Sequence, residues 1–228
     1  MDHNMLTEKE FSDDVYLLKP NKGNGVGDVS KHIMYEKLYS YVDANNILYS
    51  KQFGFKKRHS TDQVIVHLVH DIFKSFDEDK YTLGVFIDLS KGSILGPLLF
   101  LIYINDISNA CTELDTILFA DDTNLFCVHN DINILFKSVN KGLLNLTEWF
   151  NASKLSLNVT KTKYTFFHRF HDRDKIPLKF PKLCIANHNI KKETTLKFLG
   201  VLFDENITWK DHIHYLENKI SRNIGLLG

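Results

Sequence analysis

Apolar residues recur at helical spacing over residues 61–76, where Ile65, Leu68, Val69, Ile72, Phe73 and Phe76 share one face. Ser60 precedes them as a natural N-cap, and Gln63 three residues later completes a capping box. The pattern then changes. Residues 81–89 hold Leu83, Val85, Phe86, Ile87 and Leu89, a nearly continuous apolar run that predicts a buried strand, with Gly84 permitting close approach of a neighbour. Pro97 suits the first turn of a helix over 98–106 that is apolar on nearly every side. Residues 116–120 and 123–128 are short β-type runs flanking Asp121-Asp122, which predicts a hairpin with an acidic tip. Asp131 caps a longer helix carrying Ile132, Leu135, Phe136, Val139, Leu143, Leu146 and Phe150. Further strands are expected at 164–168 and 197–203, and a helix over 209–227. A weaker helical pattern over 32–44 puts Ile33, Leu38, Tyr41 and Val42 roughly on one face. Residues 1–30 are expected to be weakly ordered, because 19–28 are rich in turn and breaker residues. Helices and strands mix without regular alternation, so the class is α+β.

Composition narrows the picture. At 43% apolar and 25% charged, the chain reads as an ordinary globular protein of 228 residues. The longest apolar run, 94–104, is interrupted by Gly96 and Pro97 and falls short of a membrane span. The polar N-terminus has no signal-peptide pattern. Cys111, Cys127 and Cys184 form neither a disulfide framework nor a CxxC pair, which implies a reducing, intracellular compartment. The near pairs His67/His70, His168/His171 and His212/His214 lack a third ligand at a recurring spacing and read as exposed side chains rather than a zinc site. The net charge of zero hides an asymmetry. Residues 154–228 carry twice as many Lys and Arg as Asp and Glu, enough to hold a phosphate backbone locally, although a solvated surface gives the same count.

The chemistry lies in the carboxylates. Asp88 closes an otherwise apolar strand, and Asp121-Asp122 fall between the apolar arms 117–119 and 125–126. Hairpin tips favour Asn-Gly or Asp-Gly, and two adjacent carboxylates beside apolar strands repel one another and cost desolvation. A bound cation would offset both costs. Phosphoryl transfer by two metal ions needs this kind of carboxylate set, and Mg2+ suits it because it takes few protein carboxylates and keeps waters.

At this point the sequence resembles a known family, the reverse transcriptases of retrotransposons without long terminal repeats, especially the jockey-like and related groups. Phe119-Ala120-Asp121-Asp122 resembles the family's catalytic hairpin, and residues 85–91 its strand with the first catalytic aspartate. Gly92-Ser93-Ile94-Leu95-Gly96-Pro97-Leu98-Leu99-Phe100 resembles the template-contacting loop and helix. Gln52-Phe53-Gly54-Phe55 with His59-Ser60-Thr61 resembles the signature between fingers and palm. Residues 154–158 with Lys161-Thr162 resemble the next palm motif, Phe198-Leu199-Gly200-Val201 the primer grip, and 209–227 the first thumb helix. The matches run in family order. The resemblance implies a palm-like antiparallel sheet with helices on one face: a remnant before the fingers at 1–30, fingers remnant and palm at 31–206, and the start of the thumb at 207–228. It also implies RNA-directed DNA synthesis with two Mg2+ ions on Asp88, Asp121 and Asp122, and Lys161 helping to protonate pyrophosphate. Template or nucleotide contacts are implied at Gln52, Gly54, Gly92 and Ser93, and a primer grip at Phe198, Leu199 and Gly200. The implied partners are an RNA template, a DNA primer and deoxynucleoside triphosphates, with no membrane. Oligomeric state is not indicated, and nucleus and cytoplasm both stay open.

The sequence also departs from the family. Several dozen residues normally separate the first aspartate strand from the Gly-Ser loop, whereas here Lys91 runs straight into Gly92. Ser93 stands where an aromatic would exclude ribonucleotides. A second seam lies near residues 29–32, where a long fingers segment with triphosphate-holding basic residues is absent. An upstream endonuclease and most of the thumb are also missing from this sequence. Eight residues, 89–96, remain to join strand to helix, a permissible loop. The expectation is a shortened palm that closes but leaves part of the 98–106 helix wet, with marginal stability, a tendency to aggregate and little turnover. A non-catalytic nucleic-acid-binding remnant, or a retrotransposon fragment with no role, is the alternative.

Overall fold

One strand, Tyr81–Asp88 (β1), organises the sheet, because it is covered on both faces. Leu83, Val85 and Ile87 enter one core cluster, while Phe86 packs into a second on the opposite side. The computed structural model describes residues 25–56, 59–89, 97–120 and 122–225. Its helices are Gly25–Ala44 (α1), Thr61–Asp77 (α2), Pro97–Tyr103 (α3), Ile107–Ala110 (α4), Ile132–Ala152 (α5) and Lys210–Gly225 (α6). Its other strands are Asp115–Phe119 (β2), Asp122–His129 (β3), Lys163–Phe167 (β4), Cys184–Ile185 (β5), His188–Asn189 (β6), Lys191–Lys192 (β7), Thr195–Phe198 (β8) and Val201–Asp204 (β9). The main sheet has the order β2-β3-β1-β4-β7, antiparallel except for the short β4–β7 pair.

The expected α+β class and antiparallel sheet are present. The helices cover both faces of the sheet rather than one. Leu135, Phe136, Val139, Leu143, Leu146 and Phe150 of α5 pack on one face, together with residues of α3 and α4. Val64, Leu68, Ile72 and Phe76 of α2 pack on the other, beside the β8–β9 hairpin. The cause lies in the sheet's second face, where Ile117, Phe126 and Phe167 of the neighbouring strands, with Phe86 of β1, form an apolar surface that needs its own cover.

The helix starts form as the sequence predicts. The Ser60 hydroxyl accepts from the Gln63 N–H, and the Gln63 side chain accepts from the Ser60 N–H, both at 3.3 Å. Asp131 Oδ1 accepts from the N–H groups of Asn133 and Ile134 at 2.7 and 3.0 Å. The buried face of α2 differs in detail, with Val64 buried at its N-terminal end and Phe73 exposed.

Other expectations are corrected. Helix α1 begins at Gly25, inside the stretch expected to be weakly ordered, and buries Tyr39 and Val42 while Ile33 and Tyr41 face out. The 98–106 helix breaks after Tyr103. Asn105 turns its side chain to the backbone of a neighbouring segment, accepting from the Tyr49 N–H at 2.6 Å and donating to the Ile47 carbonyl at 2.8 Å. Leu98, Leu101 and Ile104 are buried there, whereas Leu99 and Tyr103 are exposed, the wet face that was expected. The single strand expected at 197–203 is a hairpin, β8–β9, turning on Leu199 and Gly200, both with positive φ. His168 is buried rather than exposed, its ring 5.8 Å from that of Phe166 and its carbonyl accepting from Asn206 at 2.8 Å.

Removing the α5 cap tests this account. Asp131→Ala leaves two N–H groups without their acceptor and is expected to cost about 1 kcal/mol, read as a lower urea midpoint at unchanged slope.

Candidate active site at the ends of the central strands

Asp88 is the last residue of β1 and Asp122 the first of β3, and the two are direct register partners on neighbouring strands. The antiparallel ladder therefore sets the two carboxylates side by side at one end of the sheet. Asp122 also pairs with Phe119 across the β2–β3 hairpin, so it belongs to the strand and not to the tip. Ala120 begins the connection in a left-handed conformation, φ 55°. Asp121 lies outside the described residues, as do Gly92 and Ser93.

A third strand-like segment straps onto the end of β1. Leu157 bridges Leu89, and the Asn158 N–H donates to the Asp88 carbonyl at 3.0 Å. The Asn158 side-chain amide donates to Asp88 Oδ2 at 2.9 Å, and Lys161 Nζ lies 3.3 Å from that same oxygen. Asp88 and Lys161 had been singled out from separate motifs, and the fold brings them together. The direct role of Asn158 was not legible. Its signal was the 154–158 motif, but the contact spans 70 residues.

Gln52 and Gly54 sit behind the hairpin rather than on a surface. Gln52 is 1% exposed and bridges Leu118 of β2. The Phe53 N–H donates to the Leu118 carbonyl at 2.9 Å, and the Gly54 N–H to Gln52 Oε1 at 3.1 Å. A Cβ on Gly54 would fall 2.1 Å from the Ala120 nitrogen and 2.8 Å from the Phe119 carbonyl carbon. The template contact expected of these two residues thus falls on buried positions packed against the turn. Gln52 Nε2 and Thr123 Oγ1 are buried without a hydrogen-bond partner among the described residues.

The β8–β9 turn reaches the same sheet from the α2 side. Phe198 is buried, with its ring 5.6 Å from that of Phe86, two residues before Asp88. Gly200 faces open space at the tip.

Oxygen donors on adjacent strand ends, with the Asp88 side chain 33% exposed, suit a hard divalent cation that keeps water ligands. The Lys161 ammonium already shows that this carboxylate attracts positive charge. Among the described residues no three His, Cys, Asp or Glu side chains form a metal-holding group, and Asp121 is not one of those residues.

The five-stranded palm-like sheet thus presents two carboxylates from neighbouring strands, with a lysine beside one of them. The reverse transcriptase (RNA-dependent DNA polymerase) family model matches residues 45–203, and the chain belongs to that family. It is also similar to a probable RNA-directed DNA polymerase from transposon X-element of Drosophila melanogaster. That relative is 19% identical over 262 residues, covering 87% of this chain and 28% of the relative. The aligned stretch exceeds the 228 residues of this chain, so the relative holds residues with no counterpart here. No helix among the described residues is long and apolar enough to cross a membrane.

Gly54→Ala is the sharpest test of the support. The new methyl meets backbone rather than a pliable side chain, so about 2–4 kcal/mol of stability is expected to be lost, measured by denaturant unfolding.

Proposed function

We propose that this chain is a reverse-transcriptase palm that keeps its carboxylate set for two Mg2+ ions but has lost nearly all polymerase turnover. The observation that carries the first half is the Asp88–Asp122 register at adjacent strand ends, with Lys161 at Asp88. Asp88, Asp121 and Asp122 would hold the ions. When bound, these activate the primer 3′-hydroxyl and stabilise the leaving pyrophosphate. Lys161 would deliver a proton to that pyrophosphate, and the Phe198-Leu199-Gly200 turn would bear on the primer strand. Gln52 and Gly54 hold the hairpin and act through it. The substrates are an RNA template, a DNA primer and deoxynucleoside triphosphates. The same reading makes the chain intracellular without choosing between nucleus and cytoplasm.

The second half rests on what the sequence has lost. The family's triphosphate-holding fingers residues have no counterpart, and Gly92 and Ser93 follow Asp88 almost at once. In this chemistry catalysis is mostly positioning and electrostatics, so an ion site without a held triphosphate does little.

A non-catalytic role in nucleic-acid binding through the basic C-terminal third has less support. Lys163 and Lys191 both pair with Glu193, at 2.9 and 3.2 Å, and hold its carboxyl below the usual range. Lys192 pairs with Glu205 at 2.9 Å. Several of the counted positive charges are thus neutralised locally. Such binding would weaken steeply with salt and survive Asp121→Asn.

Primer extension on an RNA template with Mg2+ decides the reading. The chain and its Asp121→Asn variant are both expected to extend at least about a hundredfold more slowly than a version with the missing segments restored. Extension by the unmodified chain that Asp121→Asn abolishes would show that the shortened palm works and overturn the loss of turnover. No extension even after restoration would remove the polymerase reading.

A further inference from the structure

We propose that Lys161 is the resident counter-ion of Asp88, occupying the carboxylate in the metal-free protein and yielding when a divalent cation binds, while Asn158 is a positioning residue that stays. The inference rests on Asp88 and Asp122 being ion ligands.

The two groups share Asp88 Oδ2 but are held very differently. Asn158 is fixed from every side. Its N–H donates to the Asp88 carbonyl and its side-chain amide to Oδ2. Its own carbonyl accepts from the Lys161 and Thr162 N–H groups and from the Thr162 hydroxyl. Its side-chain oxygen accepts from the Thr160 hydroxyl at 2.8 Å. Lys161 instead reaches Oδ2 at 3.3 Å on a side chain that is 67% exposed. An ammonium on a flexible, solvated stem exchanges cheaply, whereas a residue held by six hydrogen bonds, two of them at its side-chain amide, does not. Both contacts fall on Oδ2, so Asn158 fixes the carboxylate's rotation and leaves the other oxygen to face the cation. A divalent ion arriving there meets the Lys161 charge and must drive it off. The same displacement frees the lysine for an anionic ligand. The resident ammonium thus weakens ion binding to the metal-free protein, a sign opposite to that of a residue that merely helps to build the site.

The test uses the full chain with Mn2+ as probe, followed by the loss of the free-ion electron paramagnetic resonance signal. Thermal melts establish that each variant is folded. Lys161→Met is expected to bind Mn2+ about three- to tenfold more tightly than the unmodified chain. Asn158→Ala is expected to bind about tenfold more weakly. Unchanged or weaker binding by Lys161→Met, with the unmodified chain binding normally, overturns the counter-ion role alone. Binding by Lys161→Met where the unmodified chain shows none supports it. Silence in both removes the ion-ligand reading and this inference together. As a readout that does not depend on the Asn158 variant folding, the 13C signal of reductively methylated Lys161 should move on adding Mg2+. It should not move in Asp88→Asn, and a signal that stays put in the unmodified chain overturns the proposal.

Discussion

The antiparallel register between β1 and β3 is the constraint on which the rest depends. It runs from Tyr81 opposite His129 to Asp88 opposite Asp122 without a break. A slip of one residue would turn Leu83, Val85 and Ile87 out of their cluster and Phe86 out of the other. Two independent cores therefore enforce one alignment, and that alignment sets the two carboxylates opposite each other. The site's geometry is inherited from burial elsewhere along the same strands.

The supports of the site follow the same logic. Gly84 lies opposite Phe126, and a Cβ there would meet that ring at 2.8 Å, so the central pair closes only with glycine. Gly54 does the same for the hairpin connection, where backbone presses on backbone. The Phe86 ring touches both Phe126 and Phe198, at 5.7 and 5.6 Å, which joins the β8–β9 turn to the strand that bears Asp88. The positions that contact substrate in the proposed reaction are thus backed by residues that never meet it.

Much of this was legible where local chemistry and burial agree. Helices α2 and α5 announced themselves through Ser60 with Gln63 and through Asp131, and β1 through an apolar run ending in an acid. What stayed hidden is long-range or locally unfavourable. Leu199-Gly200 is a poor advertisement for a hairpin turn, since leucine seldom takes a positive φ. Gln52 is polar and reads as surface, yet the bridge to Leu118 buries it. His168 reads as solvated, yet the Phe166 ring and the β9–α6 connection enclose it. Asn105 looks like one more helical residue, and only its bonds to residues 47 and 49 explain the break after α3. In each case the partner lies too far along the chain for pattern or propensity to reveal it.

The pairing of β1 with β3 and β4, formed by residues up to Asp88 and so ahead of the shortened joint, has an evolutionary consequence. The two ladders of β1 are thus complete before the joint begins, and changing the length of the sequence that closes it alters loop entropy only slowly. Retrotransposon copies that decay by losing blocks of sequence at this joint can therefore keep a folded sheet long after the ability to copy is gone. In such a lineage the architecture outlives the enzyme.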